Sequence, residues 1–413
     1  METTANQGWR VTFAGLGINL ALGVLYTWSV ISKGVPAEWG WSQSDKSWPY
    51  AVACLVFCLV MVPAGRMQDN LGPRVVATIG GILVGLGMML ASFTTTPIGY
   101  IVGFGVLTGA GIGFGYASAT PPAVKWFPAA KTGLIAGIVV SGFGLASVYA
   151  APLSQWLIDS YGLAATLKIL GISFLVLVAG LAQILTPPPP GYVPVGTPTK
   201  PATAGSESKR DDYYPGEMLK TRQFYLLWFM YACGAGAGLM IISKLAQIAA
   251  IQAGLTLGFV LVAVLAVGNG AGRVLAGLIS DKIGRKATLF VCFVSQAVLI
   301  VILSRTTIGS ALANAEVLAV ISALIGANYG ANLALFPSIT KDYYGLRNFG
   351  ANYGLVFTAW GVGGFMLALL AGKVYDATGT FDFAYYSSAV LLALAAMATV
   401  VVKPPQHLVD SSV

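Results

Sequence analysis

Residues 64–74 read Ala64-Gly65-Arg66-Met67-Gln68-Asp69-Asn70-Leu71-Gly72-Pro73-Arg74, and the pattern returns 212 positions later as Ala276-Gly277-Leu278-Ile279-Ser280-Asp281-Lys282-Ile283-Gly284-Arg285-Lys286. Alanine, glycine, aspartate and glycine recur at matching places, and each copy closes on a basic residue. Each copy follows the second long apolar run of its own half. A polar turn repeated in register inside apolar sequence implies one multi-helix unit used twice in parallel.

Around these turns the chain is almost wholly apolar. Of its 413 residues 56% are hydrophobic and only 9% charged, against roughly 25% charged in soluble domains. That excludes a water-soluble enzyme. A membrane-crossing helix needs about 20 apolar residues, and the runs divide into twelve. Six are expected near 9–31, 47–66, 75–93, 98–120, 134–158 and 164–186, and six near 223–248, 257–279, 288–304, 315–337, 351–374 and 383–403. The first run is too long, and lacks the small-residue cleavage site, to be a removable signal peptide. Between the sets, 187–222 opens on four prolines and continues through Gly, Thr, Ser, Lys and Asp, so it reads as a linker. The expected organisation is an N-terminal six-helix bundle (1–186), a linker (187–222) and a C-terminal six-helix bundle (223–413).

The net charge of +8 invites a nucleic-acid reading, but charge placement gives another. With the N-terminus in the cytoplasm, sixteen lysines and arginines fall on cytoplasmic segments and four on outer ones. This bias predicts that both termini and the linker are cytoplasmic, in a multi-pass protein of the cell membrane, with no nucleic-acid partner. Cys54, Cys58, Cys233 and Cys292 lie inside apolar runs without ligand spacing, so no metal or cofactor is expected. The lone histidine, His407, sits in the polar tail and argues against an integral membrane enzyme.

Three cations remain, all within spans. Lys168 and Lys244 lie near span ends, where their stems can carry the ammonium to the interface. Arg273 lies roughly five residues, about 7.5 Å, from the midpoint of span eight. Side chains tilt toward their own helix's N-terminus, which aims this guanidinium at the membrane centre. Each of the fifteen acidic residues falls in a terminus, a loop or an end turn. A buried guanidinium without a fixed carboxylate suits a mobile small anion, and its planar fork suits a carboxylate in particular.

The duplicated G-x-x-x-D-x-x-G-x-[RK] turn resembles that of the major facilitator transporters over essentially the whole chain. Gly268-Asn269-Gly270-Ala271-Gly272-Arg273, with Gly23-Val24-Leu25-Tyr26-Thr27-Trp28 and Asn352-Tyr353-Gly354, is similar to the monocarboxylate porter and oxalate–formate antiporter branch. The resemblance implies an all-α integral membrane protein of two six-helix bundles. It also implies a cytoplasmic gate in which Asp69, Arg74, Asp281, Arg285 and Lys286 clamp the halves together.

Two departures narrow the cargo. The antiporters carry a second buried cation, a lysine, where this chain has Trp360, which leaves one positive partner and favours a monocarboxylate. The mammalian porters carry an aspartate four residues before the arginine, where this chain has Asn269, so the usual proton-coupling residue is absent.

Mid-span polar and aromatic residues complete the expected pocket: Leu25 and Tyr26 in span one, Tyr116 in span four, Asn269 beside Arg273, Asn328, Tyr329 and Asn332 in span ten, and Phe357 and Trp360 in span eleven. Tyrosine hydroxyls and asparagine amides can donate to a carboxylate, while aromatic walls exclude water. Asn19 is expected to bond between helices rather than to a ligand. Gly109-Ala110-Gly111-Ile112-Gly113-Phe114-Gly115 mimics a dinucleotide fingerprint, but inside a span it reads as helix packing.

The expected activity is secondary transport of a small monocarboxylate of the lactate and pyruvate class with a proton. Obligate anion exchange is the alternative, with uncoupled carriage of another organic anion behind it. The partners expected are the anion, the proton and the bilayer. A monomer is compatible with the sequence.

Overall fold

A computed structural model describes residues 2–128, 132–189, 191–194, 213–345 and 348–405. Among them, eleven helices are long and apolar enough to cross a membrane. The longest, Thr132–Ala182, has 51 residues, about twice what a bilayer requires. It breaks at Gly162, where φ is +78°, a conformation open to glycine and strained for other residues. It therefore supplies two crossings, α5 (132–161) and α6 (163–182).

The remaining crossings follow in order. Helix α1 runs Glu2–Leu22, tightens to a 3-10 segment at Gly23–Thr27, and resumes as Trp28–Lys33. Helices α2 (Gln43–Leu71) and α3 (Pro73–Ser92) follow. Helix α4 begins with Pro97–Tyr100, continues as a π-helical stretch Ile101–Thr108 and ends as Gly109–Val124. The second half contains α7 (Arg222–Ala253), α8 (Gly258–Ile283), α9 (Arg285–Ser304), α10 (Ala315–Tyr344), α11 (Phe349–Thr378) and α12 (Asp382–Val401).

The duplicated turn does the same structural task twice. Gly72 joins α2 to α3 at φ +84°, and Gly284 joins α8 to α9 at φ +91°. Each permits a one-residue reversal that a side chain would oppose. Twelve crossings return the chain to one face, called here the terminal face.

The helices differ from ideal rods for local reasons. The 3-10 segment of α1 lies where Gly23 meets the Phe143 carbonyl and Ala146 of α5. In the π-helical stretch, the Thr108 hydroxyl donates to the Gly103 carbonyl, five residues back. Asn19 donates to the Val139 carbonyl at 2.8 Å, tying α1 to α5. Within the glycine-rich run of α4, Gly109 packs on Ala53, Gly111 on Gly80 and Gly113 on Phe57. These are helix–helix contacts and not a nucleotide cradle. Outward-facing positions such as Leu59, Val176, Val274 and Val400 are exposed, as lipid-facing side chains must be.

The described ends of the linker are more structured than its composition suggests. Tyr192 packs edge-on against Trp126, and Pro215–Met218 forms a helical turn with Met218 fully buried. The Tyr213 carbonyl accepts from the Asn348 and Asn352 amides at 3.1 and 3.0 Å. The middle of the linker, like His407, lies outside the described residues.

The two halves meet along α2 with α11 and along α5 with α8. Most hydrogen bonds between halves among the described residues, those of Lys33, Gln43, Ser44 and Gln247, lie near the face opposite the termini. Toward the terminal face the contacts thin: Gly354 of α11 comes no nearer than 3.9 Å to Val62, by the reach of a notional Cβ, and Gly350 meets nothing within 4 Å.

Helix α8 crosses α10 at the closest approach in the second half, where Gly268 and Gly272 lie on Ala323 and Ala327, and Gly326 and Gly330 on Leu265 and Asn269. A methyl at Gly326 would collide with the Leu265 carbonyl oxygen, whereas one at Gly277 meets nothing within 4 Å. Gly326→Ala is expected to destabilise the protein by about 1–3 kcal/mol, the usual scale of overpacking. Thermal unfolding of the purified protein should show a lower midpoint for Gly326→Ala and an unchanged one for Gly277→Ala.

Candidate functional site between the two halves

Arg273 projects from α8 across the interface toward α5. Its Nε donates to Asn269 Oδ1 at 3.2 Å, and its Nη1 donates to the Val140 carbonyl of α5 at 3.1 Å. The i,i+4 spacing on one helix lets Asn269 hold the guanidinium from behind. Nη2 is buried with no protein hydrogen-bond partner among the described residues. It lies against Gly144, where a methyl group would come within 3.1 Å. The ion pairs among the described residues are those of Arg285, so no carboxylate there neutralises Arg273.

One residue before Gly144, Phe143 begins an aromatic cluster. Its ring meets Tyr26, Phe57 and Tyr116 at centroid distances of 5.0, 5.8 and 5.3 Å. Phe57 also packs edge-on against Trp360 at 5.1 Å, and Trp360 stacks on Phe357 at 5.3 Å. A second layer is built by Tyr353 beside Phe357 and by Tyr231 stacked on Phe336 at 4.1 Å. Inside this cluster Tyr329 is a polar hub. Its hydroxyl accepts from Trp360 Nε1 at 2.8 Å and is hydrogen-bonded to the Tyr26 hydroxyl at 2.6 Å. Tyr26 belongs to α1 and Tyr329 to α10, so this bond also joins the halves.

Of the residues singled out from sequence, Arg273, Asn269, Tyr26, Tyr116, Tyr329, Phe357 and Trp360 are gathered here. Leu25 is fully buried in the 3-10 segment one residue before Tyr26. Asn328 and Asn332 share a helix face as expected, but that face turns into the second half. The Asn328 amide donates to Ser295 of α9, and the Asn332 amide donates to the Asn328 carbonyl. Asn332 Oδ1 lies beside Gly234 of α7. Tyr329, one position along α10, is therefore the residue that points between the halves.

Phe57, Phe143, Tyr231 and Tyr353 were not selected from sequence. Nothing local in an apolar span marks which neighbour a ring will face, whether it is a phenyl or, as in Tyr231 and Tyr353, a phenol. Gly144 escaped as well, since it matters by the space it leaves.

The charged turns engage within their own half. Arg285 pairs with Asp281 at 2.7 Å and with Asp342 of α10 at 3.5 Å, and it also donates to Ser280. Lys286 reaches the Val400 carbonyl of α12 at 3.4 Å. Arg74 is exposed, and the side chain of Asp69 lies outside the described set. The expected clamp between halves is therefore not made by Arg74, Asp281, Arg285 or Lys286 in this conformation. Its absence agrees with the thin contacts at the terminal face.

At the opposite face the reverse holds. Lys244, expected to snorkel, is 1% exposed, and its Nζ donates to the Gln43 carbonyl of α2 at 3.1 Å. Lys168 behaves differently, lying over the Phe93 ring at 4.4 Å.

A family model described as the Major Facilitator Superfamily matches residues 11–305 and 241–412. The chain is 26% identical over 366 residues to the oxalate:formate antiporter of Oxalobacter formigenes, which covers 86% of this chain and 81% of that protein. It is 25% identical over 393 residues to monocarboxylate transporter 11 of Homo sapiens, covering 93% of this chain and 80% of that protein. The crystal structure of a bacterial homolog of the human lysosomal transporter Spinster, inward-facing and unoccupied, superposes with a TM-score of 0.70 at 14% identity and 96% coverage of both chains. That likeness is one of fold. With two six-helix halves, a duplicated turn at matching places and a family match along nearly its whole length, the chain belongs to the Major Facilitator Superfamily.

Proposed function

We propose that this transporter carries a small monocarboxylate together with a proton, with Arg273 as the anchor of the anion. The observation that carries the reading is the unpaired Nη2 of a guanidinium held between the halves. Nε and Nη1 are already occupied by Asn269 and Val140, which fixes the plane of the group and leaves one edge for a guest. A carboxylate against that edge gains a charge-assisted bond in a region of low dielectric. The Tyr116 hydroxyl, and whichever of Tyr26 and Tyr329 is not donating to the other, offer further donors, and the aromatic rings suit a short alkyl body. Trp360 at the place of the antiporters' lysine leaves no second cation beside Arg273 for a dianion, since buried Lys244 is engaged with Gln43 of α2.

In this reading the terminal face is cytoplasmic, as the placement of lysine and arginine suggests, and 1–186 and 223–413 rock as two bodies about the site. One anion and one proton cross without net charge, so membrane voltage does no work on the pair. The proton travels on the bound carboxylate or through water, as no buried acid stands in the site. Exchange of one anion for another satisfies the same charge rule and remains the second reading.

Arg273→Gln keeps size and loses the charge. Losing a hydrogen bond to a charged group worth roughly 1.5–3 kcal/mol should lower uptake by about 10–100-fold. Counterflow of radiolabelled lactate in proteoliposomes measures this, and a carrier of neutral solutes would keep most of its rate. Gly144→Ala should raise the half-saturating lactate concentration severalfold with folding intact, because its methyl group crowds Nη2. An inward proton gradient alone should drive lactate accumulation in vesicles without internal anion. Uptake that requires a preloaded anion would reject symport in favour of exchange.

A further inference from the structure

The face opposite the termini holds a charged cluster that the anion site does not use. Helix α2 begins at Gln43, and its first N–H groups have no partners within the helix. Asp376, in the last turns of α11, takes two of them: the Gln43 and Ser44 N–H groups each donate to its carboxylate at 2.7 Å. On the same turn, the Gln43 carbonyl accepts from Lys244 of α7, whose Nζ also reaches Gln43 Oε1 at 3.5 Å. One turn of α2 is thus gripped by an anion at its N–H groups and by a cation at its carbonyl, both supplied by the second half. The sign of Asp376 matches the helix dipole, which favours negative charge at a helix N-terminus, whereas Lys244 is held by the local carbonyl of Gln43. Nearby, Gln247 of α7 donates to Ser32 of α1 at 3.0 Å, and Lys33 reaches the Thr256 carbonyl at 3.3 Å.

Lys244 makes no ion pair among the described residues, and Asp376 makes none either. Two charges placed on backbone atoms of the opposing half contribute little to the fold of their own half. Their energy is realised only while the halves touch. We propose that Asp376 and Lys244 are gating residues that hold this face closed, and that their release from the first turn of α2 opens the central site to that side. The interaction is set by main-chain atoms of α2, so its register depends on where the helix starts. Ser42 fixes that start through a capping box with Asp45.

The inference rests on alternating access between the halves and not on the cargo, so its test needs no substrate. Ser47 is fully buried on α2, packed on Gly372 of α11 directly under the clamp. Ser47→Cys, in a chain whose Cys54, Cys58 and Cys233 are replaced by alanine, serves as the probe. The remaining Cys292, buried within the second half, serves as the control. Purified protein is treated with a hydrophilic maleimide, and modification at each cysteine is followed by peptide mass spectrometry. Asp376→Ala and Lys244→Met should each raise the labelling rate at position 47 by about tenfold, the scale for loss of a charged hydrogen bond. Cys292 should keep its rate, and Asp376→Glu should restore most of the protection. Unchanged labelling at position 47 in both variants would overturn the proposal, as would a parallel rise at Cys292, which signals loss of folding instead of gate opening.

Discussion

The guanidinium of Arg273 donates hydrogen bonds to acceptors in both halves of the molecule, and this divided allegiance constrains everything around it. Asn269 travels with Arg273 on α8, but the Val140 carbonyl belongs to α5 in the other half. In the low dielectric of a membrane interior, a charged donor cannot lose a partner cheaply. Any rocking of one half against the other must therefore replace the Val140 bond with something else. In the proposed cycle, a bound carboxylate supplies that replacement and so couples occupancy to motion. The Tyr26–Tyr329 bond imposes a milder version of the same demand, since it too joins the halves at the site.

Much of the fold was legible because membranes impose simple rules. Apolar runs of the required length gave the crossings, and the repeated turn gave the duplication. Gly72 and Gly284 then proved to be the positive-φ residues that make those turns possible. The merged helix of α5 and α6 was also readable as two spans, since no bilayer accommodates 51 helical residues in one crossing. The 3-10 segment in α1 and the π-helical stretch in α4 were not legible. They arise from how closely neighbouring backbones approach, a tertiary property without a local pattern.

The site was legible where chemistry is rare and obscure where it is common. One arginine deep in an apolar span stands out, and its position relative to every acid could be checked along the chain. Asn328 and Asn332 illustrate the limit. Their spacing placed them on one face correctly, but periodicity carries no information about which neighbour that face meets. A rotation of about 100° per residue separates Asn328, turned to α9, from Tyr329, turned to the interface. Lys244 misled for a related reason: a lysine near a span end can reach water, yet the Gln43 carbonyl lay closer.

The two faces of the molecule hold their charges in opposite fashion, and the contrast explains the conformation. At the terminal face, Arg285 spends its donors on Asp281, Ser280 and Asp342, all in its own half, so among the described residues no charged side chain of the turns joins the halves. At the opposite face, Asp376 accepts from α2 of the other half and Lys244 donates to it. A polar group near the bilayer must find a partner somewhere, and the choice between a local and a cross-half partner decides which face is shut. Arg285 sits one residue past the positive-φ turn at Gly284, and Gly72 makes the matching turn in the first half. In the proposed cycle, closing that face trades local bonds for cross-half ones, while the opposite face makes the reverse trade. Because similar kinds of bond are exchanged at both ends, neither conformation need lie far below the other, which is the energetic condition for a carrier that must visit both.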